Sequence, residues 1–269
     1  MEMVRQAAVA GRFYPGDRTV LLDDLESYLS PTGGGKAALG CVAPHAGYIY
    51  SGVVAGAVYA DIDVPEHCLV LCPNHTGRGR PLAIMSTGAW QTPLGDVEID
   101  SPLAEGLMQK CPLLCEDFEA HRSEHAVEVQ LPFLQKRQPD LTFVPIALGT
   151  GNFGSLETLG FAVAEVIRAQ EQRVLIVASS DMNHYEDDRT TRLKDRKAID
   201  AMLALDARAL FEAVTRENIS MCGFGPAIVM LTATKLLGAH SAELVKYATS
   251  GDVSGDRNMV VGYAGLVVR

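Results

Sequence analysis

Three histidines of this chain each follow a short apolar run, and imidazole is the commonest metal ligand among protein side chains. Such runs are typical of central strands in a sheet that is covered on both faces. In open α/β sheets, ligands bind beyond the carboxyl ends of the strands. If the three runs form neighbouring parallel strands, the histidines converge on one site. The histidines are His45, His75 and His184, and the segments that lead to them are 41–44, 68–74 and 174–183.

Cys222 is the cysteine whose neighbours in the sequence favour a reactive or metal-binding thiol. It lies in the sequence Ser-Met-Cys-Gly-Phe-Gly-Pro at 220–226, directly before an expected helix. The N-terminus of a helix favours the thiolate, which is the form of cysteine that ligates a metal or attacks an electrophile. A buried cysteine in a glycine-rich turn would instead be a small apolar side chain. The sequence leaves both interpretations open.

Two further groups of polar residues are candidates for acid–base chemistry. Asp181 and His184 lie three residues apart in a polar loop, a spacing that suits an acid–base or orienting pair. Alternatively, Asp181 only caps the segment that follows it. We expect His125, from a second polar cluster, to reach the pocket, although the order of that cluster is not the His-Glu-x-x-His of metalloproteases. The cluster comprises His121, Glu124, His125 and Glu128.

The composition narrows the class of protein. The chain has 269 residues, of which 48% are hydrophobic and 21% are charged, as in ordinary globular proteins. A formal net charge of −10 disfavours a nucleic-acid surface. No apolar stretch is long enough to span a bilayer, and the first six residues lack the apolar core of a signal peptide. We therefore expect a cytoplasmic protein that binds neither nucleic acid nor membrane.

Strands and helices alternate along the chain, which predicts a layered α/β fold with a central mixed, mostly parallel sheet. We expect one domain over residues 1–269. A glycine-rich loop is predicted at 31–36 and a turn-rich link at 90–96, and the last two strands are expected to be antiparallel. Helices are predicted at 19–29, 52–60, 124–137 with a bend near Pro132, 155–170, 190–205, 207–214 and 225–237. The strands that carry or follow the site are predicted near 39–43, 67–72, 142–148, 173–178, 243–249 and 260–268.

An ordered set of motifs resembles the Memo family, whose microbial members are called AmmeMemoRadiSam system protein B. The resemblance covers residues 4 to 268, and the set of motifs is specific where a single one is not. The motifs are Ala10-Gly11-Arg12-Phe13-Tyr14-Pro15, Pro44-His45-Ala46-Gly47-Tyr48, Tyr50-Ser51-Gly52, Pro73-Asn74-His75-Thr76-Gly77, Ser123-Glu124-His125, Ser179-Ser180-Asp181-Met182-Asn183-His184-Tyr185 and Cys222-Gly223.

The resemblance implies a fold similar to the class III extradiol dioxygenases, which are non-haem iron enzymes that cleave catechol rings. In that comparison His45 and His75 match the two metal-ligand histidines, and His184 matches the acid–base histidine. Cys222 falls where the dioxygenases have a glutamate. Memo proteins are described as binding iron or copper, with a redox role proposed in animals. A thiolate in place of a carboxylate makes the site softer, which favours Cu(I), Zn or a differently tuned iron.

The leading hypothesis is a Memo-like metal-binding protein with a non-haem iron or copper site and redox activity on an unknown substrate. One transition metal, Fe(II) first and Cu or Zn as alternatives, is held by His45, His75 and Cys222. Alternatives are a non-catalytic protein that binds a peptide or small ligand in the same cleft, and a hydrolase with Cys222 as nucleophile and His184 as base. A homo-oligomer is left open. The remaining site residues are Asp181 and His184 as catalytic groups, and His125, Asn74 and Tyr48 as pocket residues.

Overall fold

The structure, a computed structural model, describes residues 3–30 and 35–269. Most of the loop predicted at 31–36 therefore lies outside the described residues. The strands are β1 (Val4–Arg5), β2 (Gly40–Ala43), β3 (His67–Pro73), β4 (Leu82–Ile84), β5 (Ala89–Thr92), β6 (Gly95–Ile99), β7 (Cys115–Glu116), β8 (Thr142–Leu148), β9 (Val174–Ser179), β10 (His184–Glu186), β11 (Ala242–Thr249) and β12 (Val260–Val268). The helices are α1 (Arg18–Tyr28), α2 (Tyr48–Asp61), α3 (Ser101–Lys110), α4 (Leu131–Arg137), α5 (Phe153–Arg168), α6 (Asp188–Leu203), α7 (Ala207–Arg216), α8 (Phe224–Leu236) and α9 (Gly251–Ser254).

The strands form one mixed sheet whose centre is parallel, which confirms the predicted fold class. Across the described residues its order is β1-β5-β6-β8-β3-β9-β2-β12-β10, with β11 on β12 and β4 on β8. The strand β9 lies between β2 and β3 and is parallel to both. The prediction that the three apolar runs are neighbouring parallel strands is therefore confirmed. The strand β12 runs antiparallel to β2 and to β11, as expected for the end of the chain.

The register places the carboxyl ends of the central strands at one edge of the sheet. Ala43 at the end of β2 pairs with Ser179 at the end of β9. Pro73 at the end of β3 pairs with Leu148 at the end of β8. The loops that follow these strands therefore leave the sheet side by side. This edge is where the predicted site residues must meet.

Both faces of the central strands are buried, which explains their continuous apolar sequences. Successive residues of a strand point to opposite faces. Val42 belongs to the buried apolar cluster that includes residues of α3, α5, α6, α7 and α8, whereas Cys41 belongs to the cluster that includes residues of α1, α2 and α4. The helices thus form two layers around the sheet. Within the described ranges, every helix is too short or too polar to span a lipid bilayer.

Two local predictions are wrong. The segment predicted as a bent helix at 124–137 is a short 3-10 turn at Glu128–Gln130 followed by α4. Pro132 stands in the first turn of α4, where its missing N–H costs nothing, so the helix begins there rather than bending. His121 and His125 therefore do not share a helical face. Trp90, predicted in a turn-rich link, lies in β5 because its buried ring packs against Arg5 and Phe143.

Candidate metal centre

Three imidazoles meet beyond the carboxyl edge of the sheet. One ligand atom from each of His45, His75 and His125 lies within 4.8 Å of the other two. The ring centroids are 5.1 Å apart for His45 and His75, 5.4 Å for His45 and His125, and 4.7 Å for His75 and His125. Groups of this size and type hold a single transition-metal ion in many proteins. His45 is buried, while the His75 side chain is 34% exposed, so the group is open to solvent on one side.

The end of β2 and the end of β9 position His45. Pro44 keeps the chain extended before the histidine, and the carboxylate of Asp181 accepts a hydrogen bond from the backbone N–H of His45 at 2.8 Å. The ring nitrogen Nδ1 lies 2.9 Å from Oγ of Ser179, the last residue of β9. The adjacent strands thus fix both the backbone and the ring of this histidine.

A single buried carboxylate contacts both of the other imidazoles. Oε1 of Glu124 lies 2.9 Å from Nδ1 of His75 and 3.3 Å from Nδ1 of His125. Its Oε2 accepts a hydrogen bond from the backbone N–H of His75 at 2.6 Å. The Glu124 side chain is fully buried. The carboxylate therefore stands behind two rings at once, as the outer carboxylates of metal-binding histidines do.

The segment that carries Glu124 and His125 is held by the N-terminus of the chain. The guanidinium of Arg5, in β1, donates to the backbone carbonyls of His121 and Glu124 at 3.0 and 2.7 Å. The same guanidinium pairs with the buried carboxylate of Glu128. This network explains why the segment is ordered without forming the predicted helix, since buried polar groups need such partners.

Cys222 lies at the start of α8, next to His45. Its Sγ is 3.2 Å from Nε2 of His45. This approach depends on Gly223, because a Cβ at that position would lie 2.3 Å from Cβ of Ser180. Two donors on one tetrahedral ion are separated by roughly 3.5 Å, so the thiol and the imidazole stand at a distance compatible with a shared ion. Among the described residues, the compact group of three histidines excludes Cys222, which contacts its edge at His45.

Asp181 and His184 both follow β9, but they contact different parts of the site. Asp181 is buried and holds the backbone of His45. Nδ1 of His184 lies 3.0 Å from the backbone carbonyl oxygen of Ser220, on the segment before Cys222. A carbonyl oxygen only accepts, so this nitrogen carries the proton and Nε2 of His184 is left as a proton acceptor. The pair is not joined directly by a hydrogen bond in the described structure.

The two other predicted pocket residues lie in different places. Asn74 lines the same cavity as His75, but its Oδ1 accepts hydrogen bonds from the N–H groups of Thr76 and Gly77. It therefore shapes the turn that carries His75. Tyr48 packs its ring against Phe133 and donates its hydroxyl hydrogen to the carbonyl of Val129. It lines a separate cavity of about 360 Å³.

A cavity of about 280 Å³ opens beside the group. Its lining includes His75, Cys222, the loop 149–151 after β8 and Phe224 at the start of α8. Pockets for drug-sized ligands begin near 300 Å³. The cavity thus has room for a small molecule in contact with the candidate metal ligands.

The site favours uncharged imidazoles on its buried side. Burial, together with the neighbouring rings of His75 and His125, holds the pKa of His45 well below its ordinary value. Burial also lowers the pKa of His125. Burial is the largest effect on His75 and lowers its pKa, but the hydrogen bond to Glu124 and the charges of Glu124 and Asp181 together raise it. Burial is also the largest effect on Glu124 and opposes its ionisation, yet the hydrogen bonds from His75 and the backbone of Ala126, with the charges of His75 and His125, together lower the pKa of that carboxyl to about 2. Neutral imidazole is the form that ligates metals.

The sequence pattern missed two parts of this site. His125 was expected only to line the pocket, whereas its ring is a full member of the group of three. Ser179 and Glu124 stand behind the rings, and neither was singled out as a partner of a histidine. The sequence signal for Glu124 was its position directly before His125. Nothing in the sequence indicated that the same carboxylate reaches His75, which is 49 residues away.

Comparison with known proteins gives consistent matches. The model of the Memo-like protein family matches residues 5–267. A MEMO1 family protein of Methanopyrus kandleri is 44% identical over 99% of this chain and 99% of its own length. One of Methanosarcina barkeri is 44% identical over 98% of this chain and all of its own length, and one of Pyrobaculum arsenaticum is 42% identical over 98% of both. These matches confirm the family resemblance of the motifs.

A solved structure supports the fold. The crystal structure of an uncharacterized protein of Escherichia coli K12 superposes with a TM-score of 0.52 at 14% identity. The match covers 78% of this chain and 89% of that one. At this identity the likeness concerns the fold alone.

Proposed function

We propose that this chain, which belongs to the Memo-like protein family, binds one transition-metal ion through His45, His75, His125 and Cys222. The observation that carries the proposal is the convergence of three imidazoles within 4.8 Å, from segments far apart in the sequence. Histidines that only fill space have no reason to meet in this way, since their protonated forms repel one another. A bound metal ion would explain the arrangement, because one ion can be bound by all three neutral rings.

The donor set fits a borderline or soft transition metal. Imidazole suits iron, copper and zinc, and a thiolate adds preference for Cu(I) and Zn. We place Fe(II) first and Cu or Zn as alternatives, following the resemblance to non-haem iron dioxygenases. A bound iron or copper ion would supply redox chemistry at the mouth of the cavity. The set departs from the two-histidine, one-carboxylate pattern of oxygen-activating iron, so we do not extend the proposal to ring cleavage.

The protein groups around the donors can bind and deprotonate a small molecule. The cavity of about 280 Å³ admits it between His75 and Cys222. His184 is not among the described residues that line this cavity. Its Nδ1 donates to the Ser220 carbonyl, and we propose that its Nε2 accepts a proton from a molecule that extends toward it. Asp181 acts indirectly by holding His45. We therefore propose an oxidoreductase-like role, with the substrate a small molecule that carries an acidic proton.

The hydrolase alternative has less support than the metal site. Burial raises the pKa of the Cys222 thiol, and the nearby charge of Asp181 raises it further. A nucleophilic cysteine needs a lowered pKa or an adjacent base. The adjacent base here is His45, which also belongs to the group of three histidines.

Metal binding is the test of the proposed function. Protein is analysed for metal as purified, and then titrated without oxygen with Fe(II), Cu(I) and Zn(II). We expect about one ion per chain. H75A or H125A should weaken metal binding by more than about 100-fold, which exceeds the usual loss when a residue that only hydrogen bonds to a metal ligand is removed. His240 is exposed and outside the site, so H240A is the matched control and should bind as the parent does.

Two results would overturn the metal site. The first is a parent protein that contains no ion and takes up none of the three metals. The second is binding by H75A and H125A that equals that of H240A. Oxygen consumption by the iron-loaded protein then separates redox activity from the non-catalytic alternative, which predicts an occupied site without turnover.

A further inference from the structure

The hydrogen-bond partners of Ser179 determine which nitrogen of the His45 ring carries the proton. The hydroxyl of Ser179 has one hydrogen, and its Oγ donates it to the backbone carbonyl of Ala126 at 2.6 Å. The same Oγ receives a hydrogen bond from Nε2 of Gln130 at 2.8 Å. With its only hydrogen in use, Oγ of Ser179 can only accept from Nδ1 of His45 at 2.9 Å. Nδ1 of His45 must therefore carry the hydrogen.

The orientation of Gln130 is itself determined by its partners. Its Nε2 lies 3.3 and 3.0 Å from the backbone carbonyls of Ala43 and Pro44, which can only accept. Its Oε1 accepts the hydroxyl hydrogen of Tyr59 at 2.8 Å. The amide cannot be reversed without placing its oxygen against two carbonyl oxygens. The donor to Ser179 is therefore the amide nitrogen, and the assignment at His45 holds.

Hydrogen-bond partners also determine which nitrogen of the His75 ring carries the proton. An ionised carboxylate only accepts hydrogen bonds, so Nδ1 of His75 donates to Oε1 of Glu124. Nδ1 of His125 lies 3.3 Å from the same oxygen in an ion-pair contact, which does not assign its proton. The backbone N–H of Ala126 also donates to Oε1, at 3.0 Å. The rings of His45 and His75 thus carry a hydrogen on Nδ1. When these two rings are neutral, the lone pair is on Nε2.

We propose that Ser179 and Glu124 are positioning residues that set one tautomer in His45 and His75, so that two Nε2 lone pairs are available before an ion arrives. The inference rests on the proposed function for its purpose, because a lone pair on Nε2 matters only if a ligand uses it. The benefit is that no proton has to move between ring nitrogens when the ion binds. Second partners of this kind fix both ring orientation and tautomer in metal sites.

The tautomers are measured directly on the metal-free protein. After chelation, protein with 15N-labelled histidine is studied by NMR, which distinguishes a protonated ring nitrogen from an unprotonated one. The spectra are recorded at alkaline pH, because the raised pKa of His75 keeps that ring charged to higher pH than a free imidazole. We expect protonated Nδ1 and unprotonated Nε2 in His45 and His75. S179A should give mixed tautomers at His45 alone, and E124L should do so at His75 but not at His45. Each variant is the internal control for the other.

Metal affinity gives the second measurement. Zn(II) competition with a chelator should show about 10- to 100-fold weaker binding by S179A and by E124L, the usual cost of losing an outer partner. E124Q keeps an oxygen acceptor of the same size and should lose less than E124L. Ser51 is a buried serine whose hydroxyl donates to the backbone carbonyl of Ala46. Within the described residues its hydroxyl forms no hydrogen bond with a histidine ring, so S51A should match the parent.

The inference is overturned if the metal-free parent carries the proton on Nε2 of these rings. It is also overturned if S179A and E124L keep both the parental tautomers and the parental zinc affinity. A third result separates the two proposals. If the parent has the expected tautomers but binds no metal, the positioning network is supported and the metal site is rejected. The two proposals therefore fail separately.

Discussion

At the scale of single residues, the contact between Cys222 and His45 has a defined direction. Since Nε2 of His45 has the lone pair, the thiol is the donor of any hydrogen bond across the 3.2 Å between Sγ and Nε2. The carbonyl oxygen of Asp181, at 3.7 Å from Sγ, is the more distant acceptor. The thiol and an incoming ion therefore compete for one lone pair. Burial raises the pKa of Cys222, so the thiol is protonated at neutral pH until something replaces that hydrogen.

This competition predicts proton release on metal binding. A thiol must lose its proton to ligate a metal, so the parent should release about one more proton per bound Zn(II) than C222A at pH 7. Calorimetric titrations in two buffers with different heats of ionisation measure the number. C222S is a control for the shape of the side chain. Equal proton release by the parent and C222A would mean that the three histidines hold the ion without Cys222.

At the scale of elements, a buried carboxylate joins α6 to the strand end that carries Asp181 and His184. Asp195, in α6, accepts a hydrogen bond from the backbone N–H of Asn183 at 2.8 Å and from the hydroxyl of Tyr247, in β11, at 2.6 Å. The carboxylate packs against Gly262, where a Cβ would lie 1.8 Å from Oδ2. The side chain is fully buried, and burial raises its pKa to about 6.

Asp195 therefore predicts a pH dependence of stability. The folded protein holds the proton of Asp195 more tightly than the unfolded chain, whose ordinary pKa is 3.8. Its contribution is present at low pH and is lost as the pH rises through 3.8 to about 6. D195N stays neutral, so the free energy of unfolding of the parent relative to D195N should fall by about 2 kcal/mol between pH 4 and 7. Urea unfolding at several pH values measures it, and parallel profiles for the two proteins would contradict the prediction.

The sequence could predict the strands of the site but not everything that surrounds them. Buried parallel strands have continuous apolar sequences, so the ends of β2, β3 and β9, and hence His45 and His75, were accessible from pattern alone. The segment before the 3-10 turn was not, because Arg5 and Glu128 determine its path through contacts between distant parts of the chain. A helical spacing of polar residues cannot reveal such contacts, and His125 was therefore placed on a helix that does not exist.

At the scale of the whole molecule, the candidate site joins parts of the chain that only the folded state brings together. His45 and His75 follow different central strands, His125 precedes α4, and Cys222 precedes α8. The sheet carries a helical layer on each face, and the site contacts segments from both layers. In the unfolded chain these donors are tens of residues apart. An ion that binds all of them therefore binds the folded state almost exclusively.

This selectivity predicts that metal stabilises the whole molecule. Zn(II) at about 100 times its dissociation constant should add about 2.7 kcal/mol to the free energy of unfolding. For a chain of this size that corresponds to a rise in Tm of roughly 5–10 °C. Differential scanning calorimetry with increasing Zn(II) should show the rise for the parent and for H240A, but not for H75A. An equal rise in H75A would show that the ion binds elsewhere, because the folded state would then gain the same stabilisation without one of the converging rings.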